Sequence, residues 1–240
     1  MTTIADLNAM DAAGLREALS GPPERTAAIV KAAAEQGSIE AMLLFGQMLL
    51  DGRGVARAPG EAVRWFDRAA RGGHAMAMNM VGRCCEKGWG VKADPALAAR
   101  WYRAAADRGL DWGLYNLATL LSLGEGVTRD RPAALALFEK AAALGHAKSI
   151  NMVGSFHEDG WVVEADMAAA AAHYARAAEG GDFRGQFNHA RMRIAAGDIA
   201  GATRWIMAIP ATATPAFLAR VRLWLGERAE PDLRRLADVL

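Results

Sequence analysis

The stretch AMNMVGRCCEKGWGVKADPALAARWYRAAADRG, Ala77 to Gly109, reads as two short helices joined by a turn. The first runs over Ala77–Lys87 and stops at Gly88-Trp89-Gly90-Val91, where glycine tolerates positive φ and ends a helix at little cost. The second begins at Asp94-Pro95, a helix-capping carboxylate followed by the residue best suited to the first helical position. It runs to Ala105-Ala106 and ends at Gly109.

Working outward by 36 residues in each direction, the pattern returns. Gly46, Gly82 and Gly154 share a column, with Ala118 in the third unit. Gly52, Gly88, Gly124 and Gly160 share another, followed by Gly54, Gly90 and Gly126 with Val162 as the exception. Asp94, Asp130 and Asp166 supply the cap, with Ala58 in the first unit. Phe66, Tyr102, Phe138 and Tyr174 align; beside them stand Trp65, Trp101, Leu137 and His173. Gly73, Gly109, Gly145 and Gly181 close the units, which keep register without an insertion. First helices are expected over 41–50, 77–87, 113–123 and 149–159.

Helices this short are marginal alone in water, where ~12–15 residues is the threshold even for good formers. Stability must come from stacking one hairpin on the next, as in a solenoid. The reading is therefore all-α: a right-handed α-α superhelix of about six helical hairpins. We expect one solenoid domain over 1–240. It comprises a degenerate leading unit over 1–37, four repeats over 38–181, and a degenerate unit with capping helices over 182–240. In the leading unit, Ile4–Leu19 and Glu24–Gln36 are the expected helices; at the far end they are Phe187–Ala196, Ala200–Ile209, Pro215–Gly226 and Pro231–Leu240.

Composition narrows the function. The 240 residues include 54 alanines, which favours helix. Lys and Arg number 28 against 27 Asp and Glu, a balance that argues against nucleic-acid binding. The two cysteines, Cys84 and Cys85, are adjacent and offer no disulfide framework. The start carries no basic, apolar leader, and no run of 18 apolar residues suggests a membrane span. A cytoplasmic protein is the expectation, and an excess of Arg over Lys suggests a GC-rich bacterial genome.

The pattern A-x-x-x-x-G, G-x-G-V, D-x-x-x-A-x-x-W-Y-x-x-A-A-x-x-G resembles the Sel1-like repeat, a relative of the tetratricopeptide repeats. It is clearest at Ala77, Gly82, Gly88, Gly90, Val91, Asp94, Ala98, Trp101, Tyr102, Ala105, Ala106 and Gly109. The resemblance implies a scaffold or adaptor that binds a protein or peptide. The subgroup that pairs cysteines within each repeat does not match, because those cysteines are absent here.

By analogy with tetratricopeptide repeats, the first helices should line a concave surface. Its exposed positions are then Asn79, Tyr115 and Asn151; Arg83, Thr119, Ser155 and Arg191; and Glu86, Ser122 and Glu158. A groove of repeated amides can bind an extended peptide backbone, since each offers a donor and an acceptor. It can equally be a solvated surface. Trp89 and Trp161, two units apart in one turn column, either anchor a partner or lie as lids over the neighbouring hairpin. Trp101, Tyr102 and Phe138 should fill the space between hairpins.

No catalytic pattern emerges. His157-Glu158-Asp159 are neighbours in sequence and do not face one another on a helix, and no HExxH follows. Cys84 and Cys85 fall in apolar columns, where a buried, inert thiol is expected. The glycine turns lack the GxxxxGK[ST] of a phosphate loop. No cofactor and no metal are expected. The function read is a non-catalytic protein- or peptide-binding scaffold. The alternative is an accessory subunit that docks a separately encoded enzyme through Phe217–Leu240.

Overall fold

The computed structural model describes residues 21–240. The first helix expected for the leading unit, 4–19, lies outside them. Among the described residues there are thirteen α-helices and no strand. They group into two compact units, divided between Arg129 and Asp130.

The first unit holds α1 (Pro23–Glu35), α2 (Ile39–Asp51), α3 (Pro59–Arg71), α4 (Ala75–Lys87), α5 (Pro95–Ala106) and α6 (Asp111–Leu123). Each helix packs on the next, and α4 also touches α6, two elements on. So the first helices of the second and third repeats lie side by side. The second unit holds α7 (Arg131–Ala143), α8 (Ala147–Asp159), α9 (Met167–Glu179), α10 (Phe183–Ala195), α11 (Ile199–Ala208), α12 (Pro215–Gly226) and α13 (Pro231–Val239). There α8 lies beside α10 in the same way.

The repeat columns have clear physical roles. A methyl group at Gly46 would come within 2.6 Å of the Phe66 ring, at Gly82 within 2.6 Å of Tyr102, and at Gly154 within 2.8 Å of Tyr174. Hydrogen at that position lets an aromatic ring of the second helix lie on the backbone of the first. Phe66, Tyr102 and Tyr174 are consequently almost wholly buried. The second glycine of the turn also makes a close contact. At Gly90, φ is +73° and a Cβ would lie 2.3 Å from the Pro59 carbonyl carbon, at the start of the preceding repeat's second helix. Both the conformation and the space require glycine. Val162, at the same place in the fourth turn, avoids positive φ.

Caps explain the helix starts. Asp94, Asp130 and Asp166 accept from backbone N–H groups of Leu97, Ala133 and Ala169 at 2.9 Å, as expected of that column. Ala58 makes no such bond, and its helix relies on Pro59. The first helices begin two residues before the expected starts. His74 and His146, which the sequence places in loops, are their caps. Each ring Nδ1 accepts from the N–H three residues on, Ala77 at 3.2 Å and Ser149 at 3.3 Å.

The two aromatic columns separate in burial. Tyr102 and Phe138 are fully enclosed, whereas Trp101 is only half-buried. The expectation that Trp101 fills the space between hairpins is corrected, because its neighbour in sequence takes the inward direction. The second unit ends in its own core of Phe183, Ile206, Ile209, Phe217, Val221, Leu225 and Leu233. Phe183 and Phe217 meet edge to face at 4.8 Å.

Candidate functional site

Asn79, Arg83 and Glu86 lie one turn apart on α4, and Tyr115, Thr119 and Ser122 do so on α6. Asn116 Nδ2 donates to Asn79 Oδ1 at 2.8 Å and ties the two helices together. In the second unit Asn188 Nδ2 of α10 donates to Asn151 Oδ1 of α8 at 2.9 Å. These bonds overturn part of the sequence reading. Asn79 is 2% exposed and Asn151 4% exposed, so neither is an open groove position. Their Oδ1 atoms are taken by a neighbouring repeat, because an unpaired buried carbonyl would be costly, and Asn79 Nδ2 turns to Met76 Sδ of its own helix. Ser122 is buried as well. Arg83 is exposed, and Glu86, Tyr115, Thr119, Ser155, Glu158 and Arg191 are half-buried, so these seven keep access to solvent.

The half-buried carboxylates are held from the second helix. Tyr102 donates its hydroxyl proton to Glu86 Oε2 at 2.6 Å, and Tyr174 donates to Glu158 Oε2 at 2.6 Å. Burial, and then the adjacent carboxylate, push both tyrosine hydroxyls far above their ordinary range. Arg191 reaches back from α10 and places Nη2 2.9 Å from Glu158 Oε2, with Nη1 3.2 Å from Oε1. Burial pulls the Glu158 carboxyl upward. The hydrogen bonds from Arg191 and Tyr174 together outweigh it and hold the carboxyl below its usual value. Glu86 has the adjacent Lys87 as its ionic partner. Thr119 donates to the Tyr115 carbonyl at 2.9 Å, and Ser155 to the Asn151 carbonyl at 3.3 Å.

The turn tryptophans have occupied faces. The Arg83 guanidinium lies 5.2 Å from the Trp89 ring centroid, and that of Arg131 lies 4.6 Å from Trp161. Trp161 also meets Phe156 edge-on at 5.3 Å.

Other chemistry is sparse. Burial first, then the neighbouring Cys85, pushes the Cys84 thiol up to about 11, against a lesser opposing pull from Arg83. Both thiols are buried and free. His157 and His173 stack nearly parallel, 5.5 Å between centroids, with both Nδ1 atoms unpartnered. Among the described residues no group of three or more His, Cys, Asp or Glu is placed to hold a metal, and no helix is long and apolar enough to cross a membrane.

Two features escaped the sequence reading. Asn116 and Asn188 sit one position after the expected asparagine column, and only their common spacing of 72 residues signals the pairing. An open hollow of about 950 Å³ lies on the side of α3 and α5, where Arg64, Arg68, Val81, Cys85, Leu97 and Trp101 are among its walls. Two of its walls, Cys85 and Trp101, are residues that the repeat pattern assigns to packing.

Comparison with known proteins agrees with this geometry. The Sel1 repeat matches at residues 39–74, 75–110, 113–146 and 147–182. A Sel1 repeat protein of Oxalobacter formigenes shares the fold at TM-score 0.80 and 20% identity, over 95% of this chain and 96% of that one. The protective antigen c5321 of uropathogenic Escherichia coli, described as displaying an SLR fold, matches at TM-score 0.68 and 25% identity. That match covers 90% of this chain, which spans 47% of that structure. The immunity protein Pa5087 of Pseudomonas aeruginosa matches at TM-score 0.59 and 17% identity, over 85% of this chain and 80% of that one. No curated protein sequence matches. The fold class is thus an all-α helical solenoid with a period of about 36 residues.

Proposed function

The chain belongs to the Sel1 repeat family, and on that premise we propose that it is a non-catalytic scaffold that binds a protein or peptide through its first helices. The observation that carries this reading is a set of exposed or half-exposed polar groups in each unit, several of them fixed in place before any ligand arrives. Arg83, Glu86, Tyr115 and Thr119 stand on the paired helices α4 and α6; Ser155, Glu158 and Arg191 stand on α8 and α10. Glu86 is held by Tyr102, and Glu158 by Tyr174 and Arg191, so binding loses little side-chain freedom there. Asn79 and Asn151 serve as internal struts of this surface.

The test is crosslinked capture from the native cell with wild type and with a variant carrying Arg83→Ala, Glu86→Ala and Thr119→Ala. A specific partner crosslinked to α4 or α6 and lost with the variant supports the proposal. Capture that the variant leaves unchanged overturns it. The alternative, docking a separately encoded enzyme through the C-terminal helices, has less support, because Phe217, Val221, Leu225 and Leu233 face their own core. It would be favoured by crosslinks confined to 215–240.

A further inference from the structure

Moving along the chain by 72 residues places Asn-Met-Val-Gly at 79–82 on Asn-Met-Val-Gly at 151–154. The same step takes Glu86 to Glu158, Tyr102 to Tyr174, Tyr115 to Phe187 and Asn116 to Asn188. The asparagine pairs and the tyrosine–carboxylate bonds repeat with it. At two polar positions the sets differ: Arg83 stands where the second set has Ser155, and Thr119 stands where it has Arg191.

In the second set the Arg191 guanidinium completes the arrangement. It spans both oxygens of Glu158 and places Nε 3.3 Å and Nη2 3.1 Å from Asn188 Oδ1. Its carbon lies 5.9 Å from the Phe187 ring centroid. In the first set every one of these receiving groups is present. Asn116 uses its Nδ2 on Asn79, but no donor among the described residues reaches its Oδ1. Thr119 is too short to reach Glu86, and its hydroxyl is turned to the Tyr115 carbonyl.

We infer that Glu86 and Asn116 form a seat for the guanidinium group of an arginine on a partner protein, the group that Arg191 supplies internally two repeats further on. This rests on the binding surface proposed above and names the side chain it takes. Two cations stand nearby. Lys87 pairs with Glu86 from a side chain that is 55% exposed, and such a surface contact is readily exchanged. Arg83 is laid over Trp89 and makes no ion pair with Glu86. With positive charge already present, recognition depends on the planar fork that spans a carboxylate and an amide oxygen together, which an ammonium does not offer.

The probe is a blocked Ala-Arg-Ala tripeptide, with lysine and citrulline counterparts, titrated into the full chain and followed by NMR. The arginine peptide should shift the Asn116 side-chain amide and Thr119 saturably, on the order of millimolar affinity. The lysine and citrulline peptides should bind at least about tenfold more weakly. Thr119→Arg, which supplies the group from within, and Glu86→Gln should each abolish the response. Arg191→Thr should add a second set of shifts at Asn188. No saturable shift at Asn116 and Thr119 in wild type, an equal response to the lysine peptide, or an unchanged response in Thr119→Arg would each overturn the inference. If the tripeptide fails while the Arg83/Glu86/Thr119 alanine variant still loses its captured partner, the seat is refuted and the binding surface stands. If the tripeptide binds while capture survives that variant, the surface reading fails instead.

Discussion

The ring of Tyr102 rests on Gly82 so closely that a single methyl there would stand 2.6 Å from its Cε1. Gly82→Ala should therefore force the ring and α5 outward and cost about 1–3 kcal/mol, the usual range for overpacking. Combining it with Tyr102→Leu should recover part of the loss. Urea denaturation of the two single variants and the double variant measures the coupling; strictly additive losses would contradict the contact.

The tyrosine hydroxyls should differ in worth between the two units. Among the described residues Tyr102 alone hydrogen-bonds Glu86 from outside its own helix, and Tyr102→Phe should cost about 1–2 kcal/mol. Tyr174→Phe should cost less, because Arg191 still holds Glu158. It should also let the Glu158 carboxyl titrate at higher pH than in wild type, which carbon-detected NMR of the glutamate side chain would follow.

Asn79 and Asn116 should behave as a coupled pair. Asn79→Ala leaves the Asn116 amide without its acceptor and should cost about 1–3 kcal/mol; Asn116→Ala should cost a similar amount. The double variant should cost less than the sum. Full additivity in a thermal or denaturant cycle would show that the bond contributes nothing.

Between pH 8 and 5.5 stability should decline, and His173 is one source. Burial, followed by the nearby His157 and Arg176, lowers its pKa from the ordinary 6.5. A histidine lowered in the folded state takes up its proton first when unfolded. Its contribution is complete above 6.5 and is lost as pH falls through the folded value. His189 is lowered too, by burial and then by Arg193, against an opposing pull from Glu179, and acts in the same direction. His173→Leu, matching Leu137 in the preceding repeat, should reduce the slope of unfolding free energy against pH without removing it. An unchanged slope would exclude His173.

Of the two adjacent aromatics in the second repeat, Tyr102 should matter more than Trp101. Tyr102→Ala should cost about 3–5 kcal/mol as a buried aromatic truncation. Trp101→Ala should cost less, since Trp101 is only partly buried and lines the open hollow beside α5. Equal thermal shifts would contradict the assigned directions.

The difference between those two residues shows what the sequence conveys. Period, turn glycines and aspartate caps are local, short-range chemistry, so the Gly88–Val91 turn and the start at Asp94-Pro95 were legible from one repeat. The first-helix starts were misplaced because histidine is seldom read as a cap, although His74 and His146 act as such. The choice between Trp101 and Tyr102 depends on a ring meeting Gly82 across a hairpin. The burial of Asn79 depends on Asn116, 37 residues away, one column out of the expected row. Cross-repeat partners of that kind shift by one position from the 36-residue register, so column alignment alone conceals them.

The amide pairs also govern how this protein could be lengthened or cut. Excising one 36-residue module, such as 111–146, would bring Met152 into the place of Asn116 and strand Asn79; excising 111–182 would bring Asn188 there instead. Between Asn79 and Asn188 the smallest splice that leaves each amide matched is a doublet, so designers who cut or extend the chain inside that stretch should work in steps of 72 residues, whereas the repeat at 39–74 can be removed singly without touching either pair.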